Sequence, residues 1–358
     1  MKIRRSSKHT LKFATNQKRE ALAELMAEYA RVCNLFIDMF WDKEFTRIDL
    51  TTSVTSSADS WLSARAKQCA SREALAMVNG AKEKAKEAEE EPVKPCNKGN
   101  RMILSTQCAL LQGGRNSFDL WVVLHSLGNK MKLSIPLRKH FHFHKFADWK
   151  RCSSVTITPD FVQISFEKET GPKKGSGTSV GIDVGINKLL ATSDGALMGD
   201  RVKELISRIK RKAHGSNGQR RARSALSNYL RYTVKEFFLC HLELSLVVVE
   251  RLKNMKQGKQ PNRGKQFRKT LSSWNYRELL DCIQSHCQVN RVSFRSVNPY
   301  KTSQTCPSCS HAERGNRANE KFRCLRCGYS GDADVIGARN ILARFLTGQY
   351  GAGFQAVG

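Results

Sequence analysis

Four cysteines carry the most specific chemistry in this chain. Cys306 and Cys309 form one C-x2-C pair, Cys324 and Cys327 a second, and fourteen residues lie between the pairs. Each pair is followed by a residue suited to a tight turn, Ser310 and Gly328. Four thiolates on two such knuckles can surround one tetrahedral Zn²⁺. Lys, Arg and Asn fill the segment between them, with too few apolar residues for a core, so the metal is expected to hold it folded. The plainer alternative is two unrelated cysteine pairs of a redox protein. Asp332-Ala333-Asp334 follows at once, and then a helical pattern, V-I-G-A-R-N-I-L. A metal ribbon that delivers a carboxylate to a helix start directs attention to acids upstream.

Two upstream acids stand out by their surroundings. Asp183 lies inside an apolar strand pattern, between Ile182 and Val184. A carboxylate there is costly unless it is paired or binds a cation. Gly181 and Gly185 beside it allow something to approach the backbone closely. Glu250 ends a second apolar run, Leu244-Ser-Leu-Val-Val-Val. Gathered together, Asp183, Glu250 and Asp334 would repel one another and raise their own pKa values. Divalent cations reverse that penalty, and oxygen-only ligands favour Mg²⁺ or Mn²⁺ over Zn²⁺. Two such ions would activate a water and stabilise the leaving 3′ oxygen of a phosphodiester, with no protein nucleophile.

The elements that must position these groups can be read from periodicity. Residues 2–14 alternate as a strand. Thr15 is placed to cap a helix whose apolar stripe runs Leu25, Met26, Tyr29, Val32, Cys33, Phe36, Met39, Phe40, ending at Trp41. A polar loop is expected over 45–60 and a second helix over 61–90. From Met102 the period changes to two, with strands expected at Met102–Leu111, Phe118–Leu124, Met131–Leu137 and Val155–Phe166, as in a small barrel or curled sheet. The run Lys139–Lys145 alternates imidazole and aromatic side chains. It suits a basic surface against a nucleic-acid backbone better than a metal site. GPKKGSGT, residues 171–178, marks a boundary. Beyond it come a strand–turn–strand unit over 179–197, a helical hairpin over 200–242, the strand ending at Glu250, a helix over Trp274–Cys287 and a strand at Val292–Val297.

Charge narrows the partners. Lys and Arg number 61 against 32 acids, a net +29, which points first to a polyanion. Nine basic residues face one acid between Arg201 and Arg223, and residues 256–269 carry six basic residues and no acid. Both stretches suit phosphate contacts, the second as a mobile loop. With no apolar run of about 18 residues a membrane span is not expected. The basic N-terminus lacks the apolar segment of a secretory signal. The cysteines outside the ribbon read as reduced thiols of a cytoplasmic, nucleoid-associated protein.

The ordered set GIDVG, VVVERL, TSQTCPSC and CLRCGYSGDADVIGARNIL resembles the RuvC-like nuclease of TnpB proteins and of the compact type V CRISPR effectors related to them. The likeness covers roughly residues 179–346. It implies an α/β, RNase H-like (RuvC) nuclease domain over 173–298 and 330–358, with a zinc ribbon inserted at 299–329. It also implies a β-barrel wedge domain over 1–14 and 96–172, with a helical recognition insertion at 15–95. Carried over motif by motif, the catalytic and Mg²⁺-binding acids are Asp183, Glu250 and Asp334, with Asp332 the less favoured third acid. The zinc ligands are Cys306, Cys309, Cys324 and Cys327. The implied activity is guide-RNA-directed cleavage of double-stranded target DNA. The chain is small for that task, which leaves room for a large structured RNA or a homodimer to complete the particle. A repressor that binds without cutting is disfavoured by the intact acids. A junction nuclease that needs no RNA is disfavoured by the ribbon before the last acid.

Overall fold

A computed structural model describes residues 2–114, 117–251, 274 and 276–348. The basic run at 256–269 lies outside them. The chain divides into two compact units, Lys2–Glu169 and Thr170–Gly358.

In the first unit, β1 (Lys2–Thr10) leads to α1 (Asn16–Trp41), capped by the Thr15 hydroxyl. Of the expected stripe on α1, Met39 is exposed, while Ile37 takes a place in the core. The expected loop before the next long helix holds one short turn of helix, α2 (Thr52–Ser56), capped by Thr51. Helix α3 (Ala64–Ala88) follows, capped by Ser63. The strand expected over Met102–Leu111 is two strands, β2 (Met102–Ser105) and β3 (Ala109–Gly113). The Cys108 N–H closes a turn on Ser105 O at 2.9 Å, and the two strands enter different sheets. β3 pairs with β4 (Leu120–Leu124), and β4 with β5 (Leu133–Leu137), all antiparallel. A single helical turn, α4 (Phe141–His144), holds the imidazole–aromatic run. Phe143 there packs against His9 and Phe166, so part of that run is core packing. β6 (Lys150–Ile157) and β7 (Phe161–Glu169) complete a four-stranded antiparallel sheet in the order β1-β7-β6-β2. One apolar cluster joins α1, α3 and both sheets.

The second unit is built on five strands: β8 (Thr178–Val184), β9 (Leu190–Thr192), β10 (Leu197–Met198), β11 (Leu244–Glu250) and β12 (Ser293–Val297). Their order is β10-β9-β8-β11-β12. The first three run antiparallel, whereas β8, β11 and β12 are parallel. Parallel neighbours need crossovers. Helices α5 (Val202–Lys210) and α6 (Asn217–Cys240) lie between β8 and β11, and α7 (Tyr276–Val289) lies between β11 and β12.

Alternation decides which side chains meet which layer. Val180 and Ile182 of β8, with Val247 and Val249 of β11, pack in one cluster with α5, α6 and α7. The alternate positions face α8 (Ala333–Leu346), where Val248, Leu246, Ile341 and Leu342 pack together. Between β12 and α8 sits the cysteine-bearing segment, three short antiparallel strands: β13 (Arg317–Ala318), β14 (Lys321–Arg323) and β15 (Ser330–Asp332). Among the described residues no helix is long and apolar enough to cross a membrane.

Candidate functional site

The four cysteines converge as their spacing predicts. Their sulfurs all lie within 4.8 Å of one another, with Cys306 to Cys327 and Cys309 to Cys324 each at 3.6 Å. A tetrahedral ion with Zn–S bonds of about 2.3 Å has sulfur–sulfur edges of about 3.8 Å, so this quartet fits zinc. Each pair sits on a matching turn. The Ser310 N–H donates to Cys306 O at 2.9 Å and the Gly328 N–H to Cys324 O at 3.0 Å. Ser310 and Gly328 both have positive φ, 60° and 77°, the conformation that lets the chain fold back under the sulfurs. The local apolar cluster is small, Phe322, Ala333 and Ile336 with Cys306 and Cys324. Asn316, buried and unmarked by any motif, braces the two knuckles. Its amide donates to Gln304 O and His311 O, and its carbonyl accepts from the Leu325 N–H at 2.9 Å.

The acids are assembled by strand register and by one helix. Gly181 of β8 pairs with Val248 of β11, and Ile182 with Val249. The next step of the register sets Asp183 beside Glu250 on strands about 4.8 Å apart. Both acids occupy the alternate positions that face α8. That helix lies very close to β8. A Cβ on Gly181 would stand 2.3 Å from Ala338 O, and one on Gly337 would stand 2.8 Å from Asp183 Oδ2. The close approach expected from Gly181 is therefore the backbone of α8. Gly185 serves a local turn, where an added Cβ would meet Lys188 O.

Asp334 enters from the first turn of α8. Asp332 does different work. Its Oδ1 accepts from the N–H groups of Asp334 and Val335 at 2.9 and 3.1 Å, which makes it the helix cap.

The electrostatics follow from this crowding. Burial first, and then the charges of Glu250 and Asp334, push the Asp183 carboxyl up to about 7, against the pull of Arg317. Burial also raises Glu250, opposed by a hydrogen bond from Thr302 and by Arg344 and Arg317. Arg317 Nη2 meets Asp334 Oδ1 at 2.6 Å. With Asp183 and Glu250 still pushed upward, the three carboxylates make an oxygen-only donor set short of positive charge. That is the environment a hard divalent cation suits. Among the described residues the cysteine quartet is the one group of three or more ligands that closes to within 4.8 Å, so the acids are gathered more loosely than the sulfurs.

Arg317 also lines a cavity of about 430 Å³ with Asn187, Gln304, Arg314 and Asn319. Neither Arg317 nor Thr302 carries a sequence signal for its part here, because their partners lie 17 and 52 residues away.

Comparison with known proteins bears on this arrangement. Residues 276–341 match a family described as Cas12f1-like, TNB domain. Over 219 residues the chain is 30% identical to "Putative RNA-guided DNA endonuclease InsQ" of Escherichia coli strain K12, covering 51% of this chain and 53% of that protein. In sequence the chain is similar to TnpB-type proteins and compact type V effectors. A second relative, the CRISPR-associated endodeoxyribonuclease Cas12f1 of Sulfoacidibacillus thermotolerans, is 35% identical over 72 residues, 20% of this chain and 17% of that protein. The match thus spans about half the length of the first relative and less of the second. In fold, the chain is similar to the protein in the Cas12f1–sgRNA–target DNA complex. The TM-score is 0.59 at 14% identity, over 91% of this chain and 83% of that one. The family match runs from α7 through β12 and the ribbon into α8, and so includes the four cysteines and Asp334.

Proposed function

We propose that this chain is a Mg²⁺-dependent, RNA-guided DNA endonuclease that hydrolyses phosphodiesters at Asp183, Glu250 and Asp334. The observation that carries it is the pairing of β8 with β11, which sets Asp183 next to Glu250 on the face where α8 brings in Asp334. The mixed five-stranded sheet with helices on both sides supports an RNase H-like, RuvC-type domain with the cysteine ribbon inserted. The two sheets and long helices of the first unit support the wedge and recognition assignment. The relatives' names support guide RNA and target DNA as partners, as does the net +29.

Two divalent ions shared by the three carboxylates would supply an activated water and counter-charge for the leaving 3′ oxygen. The chain's own groups do the holding. Asp183 and Glu250 are fixed by their strands, and Asp334 is fixed by a capped helix start. Arg317 and Arg314, on the cavity beside Asp334, suit the phosphates of a bound strand. Glu250 keeps its orientation through Thr302.

The test is direct. Protein purified from its native locus is examined for a co-purifying RNA and then assayed on target DNA with and without Mg²⁺. Asp183→Ala is expected to lower cutting by at least about a hundredfold while RNA and DNA binding persist. Normal cutting by that variant would remove the active-site assignment.

A further inference from the structure

Glu250 is held by more than its strand. Thr302, 2% exposed, donates its hydroxyl to Glu250 Oε1. The carbonyl of the same Thr302 accepts from Asn340 Nδ2 at 2.8 Å, and that nitrogen also donates to Thr305 O at 2.7 Å. Both hydrogens of one amide thus close on one loop, and two carbonyl acceptors leave only the NH₂ orientation for that side of Asn340. Asn340 is itself buried and belongs to α8, the helix that opens with Asp334. Thr305 directly precedes Cys306, the first sulfur of the quartet. The loop is tight in its own right. Lys301 takes a φ of 55°, and its carbonyl accepts from the N–H groups of Gln304 and Thr305, each at 3.1 Å. A short, hydrogen-bonded segment therefore connects a candidate metal-ligand sulfur, an acid on β11 and the helix carrying a third acid.

We propose that Thr302 and Asn340 are positioning residues that tie the entrance of the cysteine ribbon to Glu250 and thereby set the affinity of the acid site for its divalent ion. This rests on the reading of the three acids as the Mg²⁺ site. A carboxylate whose one oxygen is held by a hydroxyl presents its remaining lone pairs in a fixed direction. Loss of such an outer partner typically weakens a metal site 10- to 100-fold. Thr302→Val keeps the shape and removes the donor. Thr302→Ser keeps the donor. Asn340→Ala frees the loop and leaves the hydroxyl in place.

The readout is Mn²⁺ binding, followed by electron paramagnetic resonance of the free ion. Mn²⁺ suits the same oxygen donors. The full chain is used with its zinc, freed of nucleic acid, and Asp183→Ala serves as the blank. The expected result is a class of Mn²⁺ binding absent from the blank, weakened about tenfold or more in T302V and kept within about threefold in T302S. N340A weakens it in the same direction with zinc content unchanged. In cleavage, the Mg²⁺ concentration for half-maximal rate rises in T302V, while the rate at saturating Mg²⁺ returns toward that of the parent. Should T302V fail to fold, T302A and N340A report the same quantity. Parental Mn²⁺ affinity in folded T302V and N340A overturns the proposal and leaves these bonds as ordinary packing. Mn²⁺ binding that is the same in the parent and in Asp183→Ala removes the acid-site reading, and this proposal with it.

Discussion

Asp183 concentrates the cost of the site in one side chain. Its carboxyl is pushed up to about 7 by burial and by two neighbouring acids, against an ordinary value near 3.9. A carboxyl raised in the folded state binds more protons there than in the unfolded chain between those two values. Stability on this account is full below about pH 4 and falls as pH rises through about 7. The three-unit gap sets an upper limit of about 4 kcal/mol. The Asp183→Asn protein, freed of divalent ions, is therefore expected to melt higher than the parent at pH 7.5 and to match it near pH 4. Added Mg²⁺ should narrow the gap at pH 7.5 by stabilising the parent alone. Identical melting of the two proteins at pH 7.5 without metal would show that the charge on Asp183 costs nothing. Arg317 touches Asp334 and its charge also pulls on Asp183 and Glu250, yet both of those acids remain raised.

Among the elements, the ribbon and α8 act as one piece. β15 runs straight into the helix, with Asp332 ending the strand and capping the helix. The Ala333 N–H returns to Glu320 O at 2.9 Å. Because the ribbon's apolar cluster is so small, a metal held by the four cysteines would supply most of what keeps it folded. Cys324→Ser should therefore lose zinc, measured by metal analysis, and should lose cutting with it through the displacement of Asp334. Full cutting with no bound zinc would separate the ribbon from the acids. The glycines on both sides of the helix–strand contact are part of the same design. At Gly181 and Gly337 a side chain would meet a carbonyl and a carboxylate at 2.3 and 2.8 Å, so the helix could not lie close enough to deliver Asp334.

For the whole molecule, the governing quantity is charge. A net +29 over 358 residues resists compaction and favours a polyanion partner. Binding to non-specific duplex DNA should then weaken steeply with salt, by about a thousandfold or more between 50 and 200 mM if six or more phosphates are neutralised. A flat salt response in a filter-binding titration would show that the excess charge does not face nucleic acid.

The amino-acid sequence by itself determined the ligand types and the elements that carry them. Cysteine spacing announced the quartet, apolar strand patterns singled out Asp183 and Glu250, and three-and-four spacing marked α1, α5 and α6, because these signals are local. It could not separate β2 from β3, since the alternation of apolar residues continues across a turn whose cause is the choice between two sheets. Tertiary structure alone showed that Asp332, the less favoured third acid, is the cap of α8, and that α8 covers the strand face bearing Asp183 and Glu250. It also brought Thr302, Arg317 and Asn340 to their partners. Those contacts join residues 17 to 52 positions apart. They are set by packing across the fold, which no short pattern along the chain encodes.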